Sequence, residues 1–457
     1  MTATADAAFA AGTLGIDFGT SNSAAGVMLD GAPHLVALEP GARTIPTAVF
    51  FDTRGARPRI GAAANAALLE GEEGRYMRAL KSVLGTPLMR ENRRILRRNT
   101  TFIEIIADFL AETKARAEHA LGRRFDRALS GRPVHFHSID PGRDAQALLD
   151  LTECYRMAGF EDVRFMHEPE AAAIAAQRAG GNGGGHGGPN GGATGGTNGG
   201  ANGGANCGPS GDRRGLGLIV DIGGGTSDFS VFAVDPGAAH GIDIIASHGV
   251  RVGGTDFDRA LSVDHVMPLL GKGSLIRFEM GAGSLPAPVD LFQTLASWEK
   301  IPFLYTAQTR RDVERLRRLA AEPEKIARLA RVIDIELGHE IAFAVERGKI
   351  DANGDAGGAI ALGTLERGLA APLARAGLAR SLAPHAARIA DGARETLALA
   401  GVGPAKIERV IFVGGSSLME VVRDEMRAMF PCAQFTQSEA FTAVVDGLAI
   451  ASARPWT

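Results

Sequence analysis

The chain has 457 residues, of which 45% are hydrophobic and 22% are charged, and its formal net charge is -3 at pH 7. This length predicts roughly two to four domains, each large enough to bury a hydrophobic core. The composition is typical of a soluble globular protein and lacks the overall basic charge of nucleic-acid-binding domains, so we expect no nucleic-acid partner.

The cysteine content and the lengths of the apolar runs indicate the cellular location and whether a membrane is involved. Cys154, Cys207 and Cys432 are widely spaced and odd in number. They predict neither a disulfide framework nor a CxxC metal site, which favours a reducing, cytoplasmic location. Residues 1–12 have no Lys or Arg, so they lack the charged start of a secretory signal and are predicted to form a frayed tail. Apolar runs fall short of the roughly 20 residues that span a bilayer, so no membrane partner is expected.

Strand and helix patterns alternate in the first part of the chain. Short β-type runs broken by Gly, Asn and Pro occupy residues 14–51, and residues 102–121 predict a long amphipathic helix. RPVHFHSID (132–140) predicts a strand that is followed by a helix over 144–159. VRFMHEPEAAAIAA (163–176) predicts a strand, a sharp turn and a helix. This alternation predicts an α/β fold.

His135 and His137 form an H-x-H pair on the strand predicted over 132–140. Alternate residues of a strand share a face, so the two rings would lie side by side. No third metal ligand is apparent in the sequence, and packing is therefore favoured over a metal site.

A glycine-rich segment at 180–211 interrupts the chain. More than half of its residues are glycine, and no aliphatic side chain larger than Ala occurs in it. Such a segment cannot fold by itself, and we interpret it as a tolerated surface insertion or linker.

The second part of the chain continues with strands and helices. Residues 218–234 predict a β-hairpin, and residues 255–350 are predicted to be mostly helical. Residues 407–431 predict a strand, a Gly-Gly turn and a helix, and residues 441–453 predict a closing helix.

One motif occurs in both halves of the chain. LGIDFGTSNS (14–23) and IVDIGGGTSD (219–228) share an Asp at the end of an apolar strand, followed by glycines and hydroxyl side chains. Glycine lets a backbone approach an anion closely, and hydroxyls add hydrogen-bond donors. Either hairpin alone would most simply be an ordinary Gly-rich turn. The duplication favours two turns that hold a polyphosphate between them while Asp17 and Asp221 face a Mg²⁺ ion.

A third element is VIFVGGSSLMEVV (410–422), an apolar strand that ends in Gly414-Gly415 before a helix. Its glycines would let a flat base lie against the backbone near a helix N-terminus. Taken alone, this element would most simply be a helix-capping turn.

Together these motifs resemble the nucleotide-binding domain of DnaK-type heat-shock chaperones, which belong to the actin-like ATPase superfamily. Within that family the chain is most similar to the short YegD-like homologues. HEPEAAAIA (167–175), RVGGTDFDRAL (251–261) and VERGKIDAN (345–353) match further family motifs in order and spacing. The resemblance implies a two-lobed fold in which each lobe has a mixed sheet flanked by helices and the nucleotide lies in the cleft. It implies a first lobe over 13–212, a second lobe over 213–430, and a closing segment over 431–457 that returns to the first lobe.

The resemblance also implies the roles of individual residues. The implied catalytic residues are Lys81, Glu168, Asp221 and Thr226. Asp17 and Asp221 would hold Mg²⁺, largely through water. The implied nucleotide-binding residues are Gly19, Thr20, Ser21, Asn22, Gly223, Gly224, Gly225, Gly253, Gly254, Glu346, Lys349, Asn353, Gly414, Gly415 and Ser416. Taken alone, Lys81 would be a solvated helix lysine and Glu168 a turn acid.

The sequence departs from the family pattern at three points. Leu418 replaces the arginine that stacks on adenine, which removes a cation–π partner of the base. Thr255 replaces an acidic residue near the ribose. The sequence stops at Thr457, directly after the closing helix, so we expect no peptide-binding sandwich and no client binding of the family's usual kind.

The function implied is that of an ATP-hydrolysing chaperone homologue, with ATP or ADP and Mg²⁺ as ligands and a low hydrolysis rate. Its nucleotide state would control lobe closure and binding to an unidentified protein partner or client. A small-molecule kinase of the same superfamily and an actin-like scaffold remain alternatives. The kinase is less favoured, because no general base aimed at a substrate hydroxyl is apparent outside the phosphate motifs.

The composition of 180–211 yields a first prediction. We expect that replacing this segment by a short Gly-Ser turn leaves cooperative unfolding intact and changes the free energy of unfolding by no more than about 1 kcal/mol, because loop-closure entropy varies slowly with length. Urea denaturation of both proteins measures this difference. Loss of a cooperative transition in the shortened protein would contradict the interpretation.

Overall fold

The computed structural model describes residues 12–53, 58–95, 98–137, 140–181, 215–235, 237–238, 241–354, 357–437 and 442–453. Apart from the two glycines that end a helix at Gly181, the glycine-rich segment 180–211 lies outside these ranges, as does the tail over 1–11. Within the described ranges, no helix has both the length and the apolar character that crossing a membrane requires.

Strands and helices alternate through the described residues. The strands are β1 (Thr13–Phe18), β2 (Asn22–Leu29), β3 (Ala32–Leu35), β4 (Ile45–Pro46), β5 (Ala48–Asp52), β6 (Arg59–Ile60), β7 (Gly74–Arg78), β8 (Arg93–Ile95), β9 (Arg98–Thr100), β10 (Arg127–Arg132), β11 (Asp162–His167), β12 (Leu216–Ile222), β13 (Ser227–Val234), β14 (Ile242–Val250), β15 (Leu275–Arg277), β16 (Ser284–Pro286), β17 (Gly358–Ala361), β18 (Ala370–Leu373), β19 (Ile407–Val413) and β20 (Gln434–Gln437). The α-helices are α1 (Ala62–Leu69), α2 (Phe102–Leu121), α3 (Pro141–Met157), α4 (Glu168–Gly181), α5 (Gly254–Leu261), α6 (Val289–Leu295), α7 (Ala307–Leu319), α8 (Pro323–Asp334), α9 (Gly338–Asn353), α10 (Arg375–Ala400), α11 (Glu420–Met429) and α12 (Ala443–Ser452).

Two large mixed sheets repeat one arrangement of strands. The first has the order β11-β10-β1-β2-β3, with β4 paired to β2, and the second has the order β14-β13-β12-β19-β20. In each sheet an antiparallel hairpin, β1-β2 or β12-β13, has a parallel neighbour beside its first strand. The repeated sequence motif is therefore a repeated structural unit, and both of its turns fall at the same end of such a unit. Mixed sheets flanked by helices confirm the predicted fold class.

Local sequence signals explain the best-predicted helix. In α2, Thr101 caps the first turn by accepting from the Glu104 backbone N–H at 3.3 Å, while Glu104 accepts from the Thr101 N–H at 2.8 Å. Gly122 ends the helix in the left-handed conformation, with φ of 65°. This reciprocal cap and the glycine stop are the signals that place helix ends in a sequence. The predicted range of 102–121 is confirmed.

The strand predicted over 132–140 is wrong. The strand ends at Arg132, and residues 133–137 form a loop that leads to α3. His135 and His137 therefore do not share a strand face. Asp144, in the first turn of α3, accepts hydrogen bonds from the Phe136 and His137 backbone N–H groups at 2.6 and 3.2 Å, which holds the loop without strand pairing.

Four hydrophobic cores hold the elements together, and the smallest of them packs α1 on β5 and β7. Of the other three, one lies on the α2 and α3 side of the first sheet, a second lies beneath the second sheet and its helices, and a third lies between the sheets. Within the third core, α4 and α12 touch backbone to backbone, since a Cβ built on Gly447 would lie 1.7 Å from the Ala171 carbonyl oxygen. The closing helix α12 also packs on β1 and β2. The division of the chain at 212–213 and 430–431 stays a prediction, because residues 212 and 213 lie outside the described ranges.

Cysteine chemistry differs from expectation at one position. Cys154 is a buried free thiol, and burial raises the pKa of Cys154 far above its ordinary value. Cys432 is disulfide-bonded, which the cysteine spacing did not predict. Cys207 lies outside the described residues.

Candidate functional site

A cavity of about 450 Å³ lies between the turns of the β1-β2 and β12-β13 hairpins. It brings together residues from every motif of the sequence analysis. The predicted site residues that line it are Asp17, Gly19, Thr20, Ser21, Asn22, Lys81, Glu168, Asp221, Gly223, Gly224, Thr226, Gly254, Glu346, Lys349, Asn353, Gly414, Gly415 and Ser416. Gly225 and Gly253 do not line this cavity, although both lie directly behind it.

The two hairpin turns touch each other. A Cβ built on Gly224 would lie 2.6 Å from Ser21 Oγ and 3.0 Å from Thr20 Cβ, so only glycine allows this approach. Gly253 allows a second close approach, behind the β12-β13 turn, because a Cβ on Gly253 would lie 2.6 Å from the Gly225 backbone nitrogen. The glycines of the motif therefore set the spacing between the two halves of the site.

Thr255 supports the second turn. Its backbone N–H and its hydroxyl both donate to the Gly224 carbonyl oxygen at 2.8 Å, and the Gly254 N–H donates to the Gly223 carbonyl at 3.0 Å. These bonds fasten the start of α5 to the glycine turn. The residue that replaces the family's acidic side chain thus orients the turn from behind.

The floor of the cavity is a buried ion pair with additional carboxylates around it. Lys81, in a short 3₁₀ helix over Leu80–Val83, places Nζ 2.5 Å from Glu168 Oε1 at the start of α4. Burial lowers the pKa of Lys81, but attraction to Glu168 and Asp17 outweighs it, so the pKa of Lys81 is raised overall and the ammonium stays charged. Glu168 and Lys81 are each only 9% exposed.

The neighbouring carboxyl groups resist ionisation. Burial, followed by repulsion from Glu168, raises the pKa of Asp17 to about 7. The same two causes raise the pKa of Asp221 well above its ordinary value. Asp228 lies opposite Asp221 in the β12-β13 register, and burial together with Glu168 raises its pKa to about 7, although the Val134 N–H donates to Asp228 Oδ1 at 2.6 Å. Asp228 was missed in the sequence analysis, although it is the last residue of the repeated motif.

This concentration of acidic groups fits a cation. One lysine faces four buried carboxyl groups, and a divalent cation would favour their ionised forms. Among the described residues, no three His, Cys, Asp or Glu side chains are grouped closely enough to hold a metal directly. A Mg²⁺ ion at Asp17 and Asp221 would therefore be held largely through water, which is usual for this cation.

At the opposite end of the cavity, the three predicted residues of α9 already have partners. Glu346 accepts from both guanidinium NH groups of Arg78 at 3.0 and 3.2 Å, and Lys349 Nζ lies 2.7 Å from Asp258 Oδ1. Asn353 donates to the Leu418 carbonyl and accepts from the Glu420 N–H, both at 3.0 Å, so its side chain fixes the turn before α11.

Arg78 and Asp258 were missed in the sequence analysis. Arg78, at the end of β7, stacks over Trp298 at 4.4 Å from the ring centroid. Asp258 is the second Asp of the TDFD segment in α5, so the sequence motif could have identified it. Nothing in the sequence pairs Arg78 with Glu346, which is 268 residues away.

The same end of the cavity has apolar walls. Leu418, Met419 and Ile350 line it, and Leu418 is the residue that the sequence resemblance aligns with the adenine-stacking arginine. Gly414 has φ of 79°, and a Cβ at this position would lie 2.3 Å from the Ile222 carbonyl oxygen. The chain can thus turn closely past the end of β12.

The raised pKa of Asp17 predicts a pH-dependent stability. In the unfolded chain Asp17 loses its proton near 3.8, whereas in the folded protein it keeps the proton to about pH 7. The folded state therefore binds more protons between these values, and the contribution of Asp17 to stability falls as the pH rises. We expect Asp17→Asn to gain on the order of 1–3 kcal/mol of unfolding free energy relative to the wild type between pH 4 and pH 8.

Urea unfolding of the nucleotide-free proteins at pH 4, 6 and 8 measures this difference. A difference between Asp17→Asn and wild type that stays constant across the three pH values would show that Asp17 is ionised throughout.

Comparison with known families supplies an independent observation. The sequence model of the family described as Hsp70 protein matches residues 13–96 and 93–279. The two matches together extend over more than half of the 457 residues and include both hairpin turns, Lys81 and Glu168. They confirm the resemblance to an Hsp70-type nucleotide-binding domain, while the similarity to YegD-like homologues stays a prediction.

Proposed function

The chain belongs to the Hsp70 family, and from this premise we propose that it binds Mg-ATP between its two hairpin turns and hydrolyses it to ADP and phosphate. The family relationship supports an ATP-binding, chaperone-type function in general terms. The observation that carries the proposal is the contact of two glycine turns above a buried group of carboxylates around Lys81.

The hairpin turns would hold the β- and γ-phosphates. Thr20, Ser21 and Thr226 line the cavity where the turns meet. A phosphate between them would receive hydrogen bonds from both halves of the protein at once. Binding of a polyphosphate would therefore stabilise the contact between the two turns, which supports a nucleotide-dependent closure of the two halves.

Lys81 and Glu168 would act on the terminal phosphate. In-line attack of water on the γ-phosphorus places charge on the equatorial and leaving oxygens, which preorganised donors stabilise. The Lys81 ammonium would stabilise the phosphoryl oxygens and help to place the attacking water. Glu168, on the opposite side of the Lys81 ammonium, would orient the water molecules around Mg²⁺. Mg²⁺, when bound at Asp17 and Asp221, neutralises charge on the β- and γ-phosphates.

The ribose and adenine of the nucleotide would be bound differently from the family pattern. Glu346, Lys349 and Asn353 line the cavity but are each engaged with a protein partner, so they would orient the ribose and base while keeping those partners. Leu418 and Ile350 offer apolar contact where the family has a guanidinium. We expect a weaker hold on adenine than cation–π stacking would give.

Partner binding would depend on this closure. Arg78 in β7 contacts Glu346 in α9, so closure of the two halves would act on this contact between them. We propose that the nucleotide state regulates binding to a protein partner or client in the cytoplasm.

Nucleotide binding can be tested at the contact of the two turns. We expect Mg-ATP and Mg-ADP at millimolar concentration to raise the melting temperature of the wild type by mass action. Gly224→Val should abolish this shift, because its side chain would collide with Thr20 and Ser21. Thermal unfolding with and without nucleotide measures the response.

Gly403→Val is the matched control, since a Cβ on Gly403 meets no atom within 4 Å and its φ of -81° suits valine. The control should keep the full shift. If Gly224→Val kept it too, nucleotide would not lie between the turns.

Hydrolysis can be tested at the ion pair. We expect Lys81→Ala to slow single-turnover ATP hydrolysis about a hundredfold, the usual loss for one preorganised electrostatic partner, with little change in ATP affinity. Glu168→Ala should cause a smaller loss. Quenched-flow measurement of ADP formation gives the rates, and nucleotide titration gives the affinities.

Lys325→Ala, which removes a surface lysine paired with Glu322, serves as the control for lysine removal. Because Lys81→Ala leaves Glu168 buried without its partner, far-UV circular dichroism should accompany the kinetics. A folded Lys81→Ala protein with the wild-type rate would exclude the proposed role of the lysine.

A further inference from the structure

A second cavity, of about 190 Å³, adjoins the phosphate end of the candidate site. Thr20, Lys81 and Thr226 line both cavities. The second cavity continues past these side chains between the loop at 133–137 and the start of α5. Its volume is well above the roughly 10–15 Å³ that a single water needs. A phosphate group bound between the hairpin turns would therefore have space for water on both sides.

Arg251 closes the outer rim of this second cavity. Arg251 follows β14 of the second sheet, and its guanidinium reaches His137 Nδ1 at 2.9 Å and the Ser82 carbonyl oxygen at 3.3 Å. His137 and Ser82 both belong to the half of the protein built on the first sheet. The two hydrogen bonds thus join the two halves across the opening.

The protonation of His137 follows from its second contact. His137 Nε2 lies 2.7 Å from the Leu84 carbonyl oxygen, which can only accept a hydrogen bond. The proton is therefore on Nε2, and Nδ1 is free to accept from Arg251. Both acceptors of the Arg251 guanidinium are neutral. The two hydrogen bonds are therefore strong enough to keep the rim of the cavity closed and weak enough to break.

We propose that the second cavity is the path by which inorganic phosphate leaves the site, and that the contact of Arg251 with His137 and Ser82 is its gate. This inference rests on the proposed ATP hydrolysis. After cleavage, ADP would fill the larger cavity between the phosphate and the base end, while the free phosphate would lie against Thr20, Lys81 and Thr226. Those three side chains are the ones that face the second cavity.

Two cationic side chains, Lys81 and Arg251, line the path together with two acidic ones. Lys81 is paired with Glu168, so Arg251, which is exposed, is the cation that would attract a leaving phosphate. The two acidic residues that line the path are Asp256 and Glu299. Asp256 accepts a hydrogen bond from the Gly253 N–H at 2.9 Å. Opening requires only that the two hydrogen bonds of Arg251 break, with no change in the hairpin turns.

Phosphate exchange tests the path without requiring turnover. The protein is loaded with ADP, Mg²⁺ and radiolabelled inorganic phosphate, then diluted into unlabelled phosphate, and the label retained is followed by rapid filtration. We expect Arg251→Ala to release the label at least about tenfold faster than the wild type, the effect of losing one hydrogen bond to a charged group. Arg251→Lys should lie between them, because lysine keeps the charge without the planar fork.

Arg259→Ala is the matched control, since Arg259 is an exposed arginine that contacts Gln293 and does not line the path. Its release rate should equal that of the wild type. Release from Arg251→Ala at the wild-type rate or slower would overturn the inference, and so would a wild type that retains no phosphate.

Single-turnover kinetics separate this inference from the proposed function. With ATP, Arg251→Ala should form ADP at the wild-type rate but release phosphate faster, as followed with a fluorescent phosphate-binding sensor. If the wild type forms no ADP while phosphate exchange still depends on Arg251, the path stands and the proposed hydrolysis falls. If ADP forms normally and phosphate release is unchanged in Arg251→Ala, the gate falls and the hydrolysis stands.

Discussion

The close approach of two glycine turns above a buried group of charges is the constraint on which the site depends. Gly224 can lie against Thr20 and Ser21 only without a side chain, and this contact brings Asp17 and Asp221 to the same cavity floor. Burying several carboxyl groups near a single lysine is costly in the absence of a cation. The raised pKa values of Asp17 and Asp221 are the consequence. A hydrated cation bound there would relieve this cost, because it would favour the ionised carboxylates.

The rest of the fold positions these few atoms. Each sheet presents a hairpin beside a parallel strand, α4 and α12 pack between the sheets at a contact that requires Gly447, and α5 is fastened to the second turn by Thr255. Because interiors are closely packed, a shift at one turn is transmitted to the elements behind it. The site is thus a junction of two similar halves.

Several polar contacts cross between the halves at separate points. Arg78 reaches Glu346 at the base end, Asp228 accepts from the Val134 N–H beside the acidic group, and Arg251 reaches His137 at the rim of the second cavity. The two halves are therefore joined by polar contacts at three separate points around the site.

The sequence by itself determined the α/β class, the range of α2 and the repeated motif, because apolar periodicity, helix caps and glycine spacing are local signals. It also identified Lys81 and Glu168 through the family resemblance. Tertiary structure alone decided that these two side chains form an ion pair, that Arg78 binds Glu346 and that Arg251 closes a second cavity. These pairs join residues that are 87 to 268 positions apart, and no local pattern encodes such a contact. The loop at 133–137 departed from its strand-like pattern because Asp144 and Asp228 bind its backbone N–H groups in place of a neighbouring strand.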